Sequence, residues 1–219
     1  MQIIEQLAIP GEHPLSLQGI IGKLEAVLTV PDQNNTEFFA FLGHPHSLQG
    51  GTMNNKVVTT LVRVFKELGI PSLRFNFRGV GQSEGSYDAG QGESEDMLVF
   101  ARKLQKEQPE KKLIFAGFSF GSYVAYRAAA QAHAHLLITI APPIHHYNYQ
   151  EFNPAPFPWV IVQGDDDEVV PPALVFDFAA QLHPEVPVIR FASTSHFFHG
   201  KLIELKTKLI EYITSQVVL

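Results

Sequence analysis

The stretch that decides the fold is Lys111–Ala130, KKLIFAGFSFGSYVAYRAAA. An apolar run ends at Ser119, which has a glycine two residues to either side, Gly117 and Gly121, and an alanine-rich pattern begins directly after it. The first half reads as a buried strand and the second as a buried helix. A hydroxyl between two such elements needs a reason. A tight turn explains the glycines, which let the chain bend sharply without side-chain clashes. A nucleophile held up at the top of a sheet explains the serine as well. The next backbone N–H, that of Phe120, then lies at a helix N-terminus, where it can stabilise a developing oxyanion. The pattern G-x-S-x-G alone arises by chance in roughly one chain of this size in fifteen, so its surroundings must decide.

Those surroundings alternate between two periods. KLEAVLTV (Lys23–Val30) reads as a strand expected to pair with the earlier IIEQLAI, and EFFAFLGHP (Glu37–Pro45) as a buried strand running into a loop. In KVVTTLVRVFKELG, the residues Val57, Val58, Leu61, Val62, Phe65 and Leu68 recur at helical spacing, with Gly69 suited to the C-terminal cap. The segments PSLRFNF, KLIFAGF, HLLITIAPP, WVIVQGD and VPVIRFAS read as strands. GESEDMLVFARKLQKEQ, the segment after Ser119, PALVFDFAAQLHP and GKLIELKTKLIEYITSQ read as helices, with Phe65, Phe176 and Phe178 expected in the core. Strands almost uniformly apolar, joined by crossover helices, predict a mostly parallel sheet of about 7–8 strands covered on both faces. No repeat, low-complexity tract or linker divides residues 1–219, so one α/β domain is expected.

In such a sheet, functional groups collect beyond the carboxyl ends of the strands. Ser119 follows one strand, HPHSLQGG a second, RGVGQSEG a third, the acidic run Asp165–Glu168 a fourth and STSHFFHG a fifth. Serine, acid and histidine therefore share one edge. A serine hydroxyl needs a neighbouring imidazole to take its proton. The imidazole in turn needs a carboxylate to fix its tautomer and stabilise its charged form.

GFSFG, GDDDEVVP and SHFF resemble the nucleophile, acid and histidine motifs of the α/β-hydrolase superfamily. HPH resembles its oxyanion loop and FNFRGVGQSEG its Arg-Gly loop. The similarity runs from about Leu24 to the last helix and is nearest to the small, lidless, carboxylesterase-like or dienelactone-hydrolase-like members. The resemblance implies Ser119 as nucleophile and His196 as base. Its G-x-x-D pattern, read from Gly164, picks Asp167 as the acid, with Asp165 in reserve. Where relatives have His-Gly this chain has His44-Pro45, and proline carries no N–H, so the family rule makes His46 the second oxyanion donor beside Phe120. Asn76 replaces the usual Asp before Arg-Gly, which puts that loop's customary hydrogen bonding in question.

Other classes fit poorly. The net charge of −6 and the lack of a basic cluster disfavour nucleic acid and anionic membranes. With no cysteine, thiol nucleophiles, disulfides and thiolate metal sites are excluded. The ten histidines show no zinc-type spacing, so no metal is expected, and acyl transfer by serine, histidine and acid needs no cofactor. His145, His146, Tyr147 and Tyr149 are expected at the mouth of the pocket. The segment PPIHHYNYQEFNPAPFP, where larger relatives insert a lid, is too short for a helical cap. Its prolines and aromatic rings suggest a rigid rim and an open, shallow site for small or short-chain acyl substrates. No apolar run approaches the roughly 20 residues of a membrane span, and MQIIEQLAIPGEHP lacks a signal pattern. A cytoplasmic monomer or homodimer acting on a small-molecule acyl substrate is expected.

Overall fold

The structure, a computed structural model, describes residues 2–33, 37–152, 155–156 and 158–216. Eight strands form one sheet in the order β1 (Gly11–Gln18), β2 (Lys23–Val30), β4 (Ser72–Phe75), β3 (Phe38–Gly43), β5 (Lys112–Phe118), β6 (Leu136–Ile140), β7 (Trp159–Gly164), β8 (Val188–Phe191). β2 runs antiparallel to both of its neighbours, and every pairing from β4 to β8 is parallel. β3, β5, β6 and β7 are buried at every position, which is why they read as continuous apolar runs rather than alternating ones.

Successive side chains of a strand face opposite sides, so the sheet carries two cores. Phe39, Phe41 and Phe115 pack with α1 (Gln2–Gln6), α3 (Gln91–Glu107), α4 (Phe120–Gln131) and α5 (Pro172–Gln181). Phe38, Ala40 and Ile114 pack with α2 (Lys56–Glu67) and α6 (Leu202–Gln216). In α6 the buried residues Leu205, Leu209 and Ile213 recur at every fourth position, a single apolar stripe. Asn55 caps α2 by accepting from the Val57 N–H at 2.9 Å, and Gly69 follows that helix with φ 72°.

Two expectations about elements need correction. β2 pairs not with the Ile3–Ile9 segment but with Gly11–Gln18, in register from Gly11↔Val30 to Gln18↔Lys23. Ile3 and Leu7 lie one helical turn apart, and both are buried on the core side of α1 and the turn that follows it. Phe65 is in the core, whereas Phe176 and Phe178 on α5 are only half-buried. The Arg190 guanidinium lies 4.0 Å from the centre of the Phe176 ring.

Candidate active site

The turn between β5 and α4 is built by close backbone approach. A Cβ on Gly121 would sit 2.3 Å from the Gly43 carbonyl carbon, and one on Gly117 would sit 2.1 Å from Gly121 O. Neither glycine has positive φ, but Ser119 does, at φ 52° and ψ −125°. Its N–H donates to Ile140 O at the end of β6 (2.8 Å), and its carbonyl accepts from the Ser122 N–H (2.8 Å) and the Ser122 hydroxyl (2.6 Å). The unfavourable conformation is thus held from both sides, as strain at functional positions usually is.

Beyond β8, the loop brings His196 to this turn. Its Nε2 lies 3.1 Å from Ser119 Oγ, and its Nδ1 lies 2.9 Å and 3.1 Å from the two oxygens of Asp167. Asp167, just past β7, is fixed in turn. Oδ1 accepts from the N–H groups of Val169 (2.9 Å) and Val170 (2.7 Å), and Oδ2 accepts from Gln163 Nε2 (3.0 Å). Burial alone would raise this carboxyl's pKa. The His196 hydrogen bond and the two backbone donors outweigh it and hold the group below the usual carboxylate range. The rest of the acidic run points elsewhere. Asp165 pairs with Arg190 (3.1 Å), Asp166 is exposed, and Glu168 accepts from the His196 backbone N–H at 3.2 Å. His199 is exposed.

The HPH segment after β3 divides its two imidazoles between different duties. His44 is fully buried, stacked on Phe77 at 4.0 Å. Its Nε2 accepts from the Phe77 N–H (2.9 Å), so the proton sits on Nδ1, which donates to Pro45 O (2.7 Å). Burial pushes its pKa down to about 4. It is a neutral pin between two loops. His46 caps the 3-10 turn Ser47–Gln49 through Nδ1, and its Nε2 meets the Tyr87 hydroxyl at 3.2 Å. Burial, and then the neighbouring His146, lower its pKa. The backbone N–H groups of His46 and Phe120 find no acceptor among the described residues.

Ser119 opens on a cavity of about 340 Å³. Phe120, Pro143, Tyr147 and Val169 give it apolar and ring surface, and His46, Gln49, His145 and His146 give it polar atoms. Tyr149 does not belong to this mouth. It is buried with its hydroxyl 2.7 Å from Ser122 Oγ. Positions 153, 154 and 157 of the expected rim lie outside the described residues. A larger hollow of about 690 Å³, between α1 and the β2–β3 connection, lies at the opposite edge of the sheet from Ser119. Among the described residues, no group of three or more His, Asp or Glu could hold a metal ion, and no helix is long and apolar enough to cross a membrane.

Asn76 keeps the neighbouring loop in order despite replacing Asp. Its amide donates to Glu25 Oε2 (2.7 Å) and its carbonyl oxygen accepts from the Met53 N–H (2.9 Å). Gln49 and Val169 line the cavity, and Tyr87 reaches it through its hydroxyl at His46 Nε2. No role for these three side chains is legible in the sequence, because loops carry them there.

A family model described as "serine aminopeptidase, S33" matches residues 47–157, about half of the chain. An uncharacterized protein of Rickettsia prowazekii is 34% identical over 184 residues, 80% of this chain and 77% of that one. A lidless α/β serine hydrolase of Xanthomonas campestris is 41% identical, with a TM-score of 0.89 over 93% of this chain and 94% of that chain. An α/β serine hydrolase homologue from Coxiella burnetii is 42% identical, with a TM-score of 0.87 over 92% and 97% of the two chains. With fold, turn and relatives in agreement, the chain belongs to the α/β serine hydrolase family.

Proposed function

We propose that the protein hydrolyses carboxylic esters of small or short-chain acids through an acyl-enzyme formed on Ser119. The observation that carries this is the hydrogen-bonded line from Ser119 Oγ to His196 (3.1 Å) and on to Asp167 (2.9 Å), beside an open cavity. In the proposed reaction Ser119 Oγ attacks the acyl carbon while its proton passes to His196 Nε2. Asp167 accepts from Nδ1–H and stabilises the imidazolium. The N–H groups of Phe120 and His46 receive the tetrahedral oxyanion. His196 then protonates the departing alkoxide. A water molecule, deprotonated by the same nitrogen, attacks the acyl carbon, and collapse of the second tetrahedral species releases the acid and restores Ser119. No step calls for a cofactor. At about 340 Å³ the cavity is at the small end of ligand sites, which favours short acyl groups.

The matching family model is named for an aminopeptidase, so amide cleavage is the second reading. An aminopeptidase must hold a substrate ammonium group, for which a carboxylate is the natural partner. Among the described residues, none of those lining the cavity is acidic, which favours the ester. A fluorophosphonate probe and p-nitrophenyl esters from acetate to decanoate, set against aminoacyl p-nitroanilides, separate the two. Ester turnover with labelling lost in Ser119→Ala is expected. Turnover of the anilides alone would favour the second reading, and a folded protein that neither labels nor turns over would refute both.

A further inference from the structure

The carbonyl of Ser119 and the N–H of Phe120 belong to one planar peptide, and in the trans form they point in opposite directions. Among the described residues the cis bond lies elsewhere, at His183–Pro184. Whatever grips Ser119 O therefore aims the Phe120 N–H. The grip is double, from the Ser122 N–H at 2.8 Å and the Ser122 hydroxyl at 2.6 Å. A serine hydroxyl has a single proton, and this one goes to Ser119 O. The 2.7 Å contact between Ser122 Oγ and the Tyr149 hydroxyl must then run with Tyr149 donating.

A directed chain results: Tyr149 Oη–H to Ser122 Oγ–H to Ser119 C=O. Both members beyond Ser119 are buried, Ser122 at 0% and Tyr149 at 2% exposure. Consecutive hydroxyl bonds in a low-dielectric interior polarise and strengthen one another. Tyr149 is itself anchored, its ring 5.5 Å from Tyr123, 5.1 Å from Tyr126 and 6.2 Å from Trp159. A serine bonding back to the carbonyl three residues earlier is common at a helix start. Here that carbonyl belongs to the positive-φ Ser119, and a second buried hydroxyl, from the segment between β6 and β7, supports it.

We infer that Ser122 and Tyr149 are positioning residues that hold the Ser119–Phe120 peptide plane so that the Phe120 N–H meets the oxyanion. This rests on Ser119 as nucleophile and on Phe120 as an oxyanion donor. The clamp couples the segment between β6 and β7 to the chemical step without touching substrate.

The test uses the full chain, p-nitrophenyl butyrate for turnover, and a trifluoromethyl ketone whose serine adduct carries an oxyanion. Removing an oxyanion donor outright costs about 100-fold or more in kcat, so mis-aiming one should cost on the order of tenfold. Ser122→Ala is expected to lower kcat about tenfold and Tyr149→Phe, which keeps the packed ring, about threefold. KM should stay within about twofold, and the ketone's inhibition constant should rise by the same factors as kcat falls. The double variant should be no slower than Ser122→Ala, since Tyr149 acts through Ser122. Unchanged kcat in Tyr149→Phe, losses confined to KM, or a double variant showing the product of both losses would overturn the clamp. If Ser122→Ala does not fold, Tyr149→Phe decides alone. Wild-type protein that a fluorophosphonate fails to label would remove the nucleophile and the clamp together, whereas labelled wild type with unmoved variants removes only the clamp.

Discussion

Asn76 and Glu25 meet at 2.7 Å because one of them is an amide. An aspartate there would set two carboxylates against each other and would still have to satisfy the Met53 N–H. Asn76→Asp should therefore cost about 2–3 kcal/mol in urea unfolding at pH 7, and an unchanged midpoint would show the loop to be indifferent to this pair. His44 makes a pH-dependent contribution. Unfolded, the imidazole titrates near 6.5, and folded it titrates at about 4. Between those values only the unfolded chain binds the proton. The group's contribution is therefore complete above 6.5 and is lost, by about 3 kcal/mol, as pH falls toward 4. Unfolding free energies measured from pH 7 to pH 4 should drop more steeply for the wild type than for His44→Gln, and parallel curves would refute the assignment. Among the acids, Asp167→Asn should lower kcat about a thousandfold or more, because the imidazole loses its tautomer-fixing partner. Asp165→Asn, which breaks only the exposed pair with Arg190, should stay within about twofold. Spacing left Asp165 open as an alternative to Asp167, because neighbouring residues in a turn point in different directions. Only the backbone beyond β7 decides which one faces the histidine.

The first turn of α4 meets the end of β3 through bare backbone, where a Cβ on Gly121 would fall 2.4 Å from His44 O. Gly121→Ala must therefore push α4 away from the sheet. It should cost about 3 kcal/mol or more and abolish fluorophosphonate labelling. A variant that labels normally at wild-type stability would contradict this packing. The strands and helices themselves were readable because each has its own periodicity: β5 is apolar at every inner position, and α6 shows Leu205, Leu209 and Ile213 in one stripe. The contact of Gly121 with β3 was not, because the two lie far apart in the chain. β1 was not readable. It is an edge strand with one partner, its sequence GEHPLSLQ alternates exposure, and Pro14 gives up an N–H that an edge position need not use. Nearby, IIEQLAI has enough branched residues to look like a strand, yet Ile3 and Leu7 bury at helical spacing. Tyr149 sits beside His145, His146 and Tyr147 in sequence, but nothing local indicates that it turns inward to Ser122 while they border the cavity.

At the scale of the molecule, strand ends bring Ser119, Asp167 and His196 together: Gly43 pairs with Gly117, Phe118 with Ile140 and Gly164 with Phe191. These three hang within a few residues of the ends of β5, β7 and β8, so a rigid sheet sets their separations, while longer loops add the cavity walls. Residues 141–152, which follow β6 where a cap would begin, contain no helix, and the cavity beside Ser119 is already open. Enzymes gated by a lid need substrate binding to drive a closure or opening step. Here no such element stands over Ser119 among the described residues. On the ester reading, the rate should therefore follow a single hyperbola as p-nitrophenyl butyrate rises, and should not jump when a longer-chain ester passes from monomers to aggregates. The small cavity adds a second requirement. Each added methylene contributes about 0.8 kcal/mol only while it is buried, so kcat/KM should rise over the first few carbons and then level off or fall well before decanoate. A rate that jumps at the aggregation point, or a kcat/KM still climbing at decanoate, would mean that a mobile element or a longer channel takes part. Either outcome would overturn the open, shallow site.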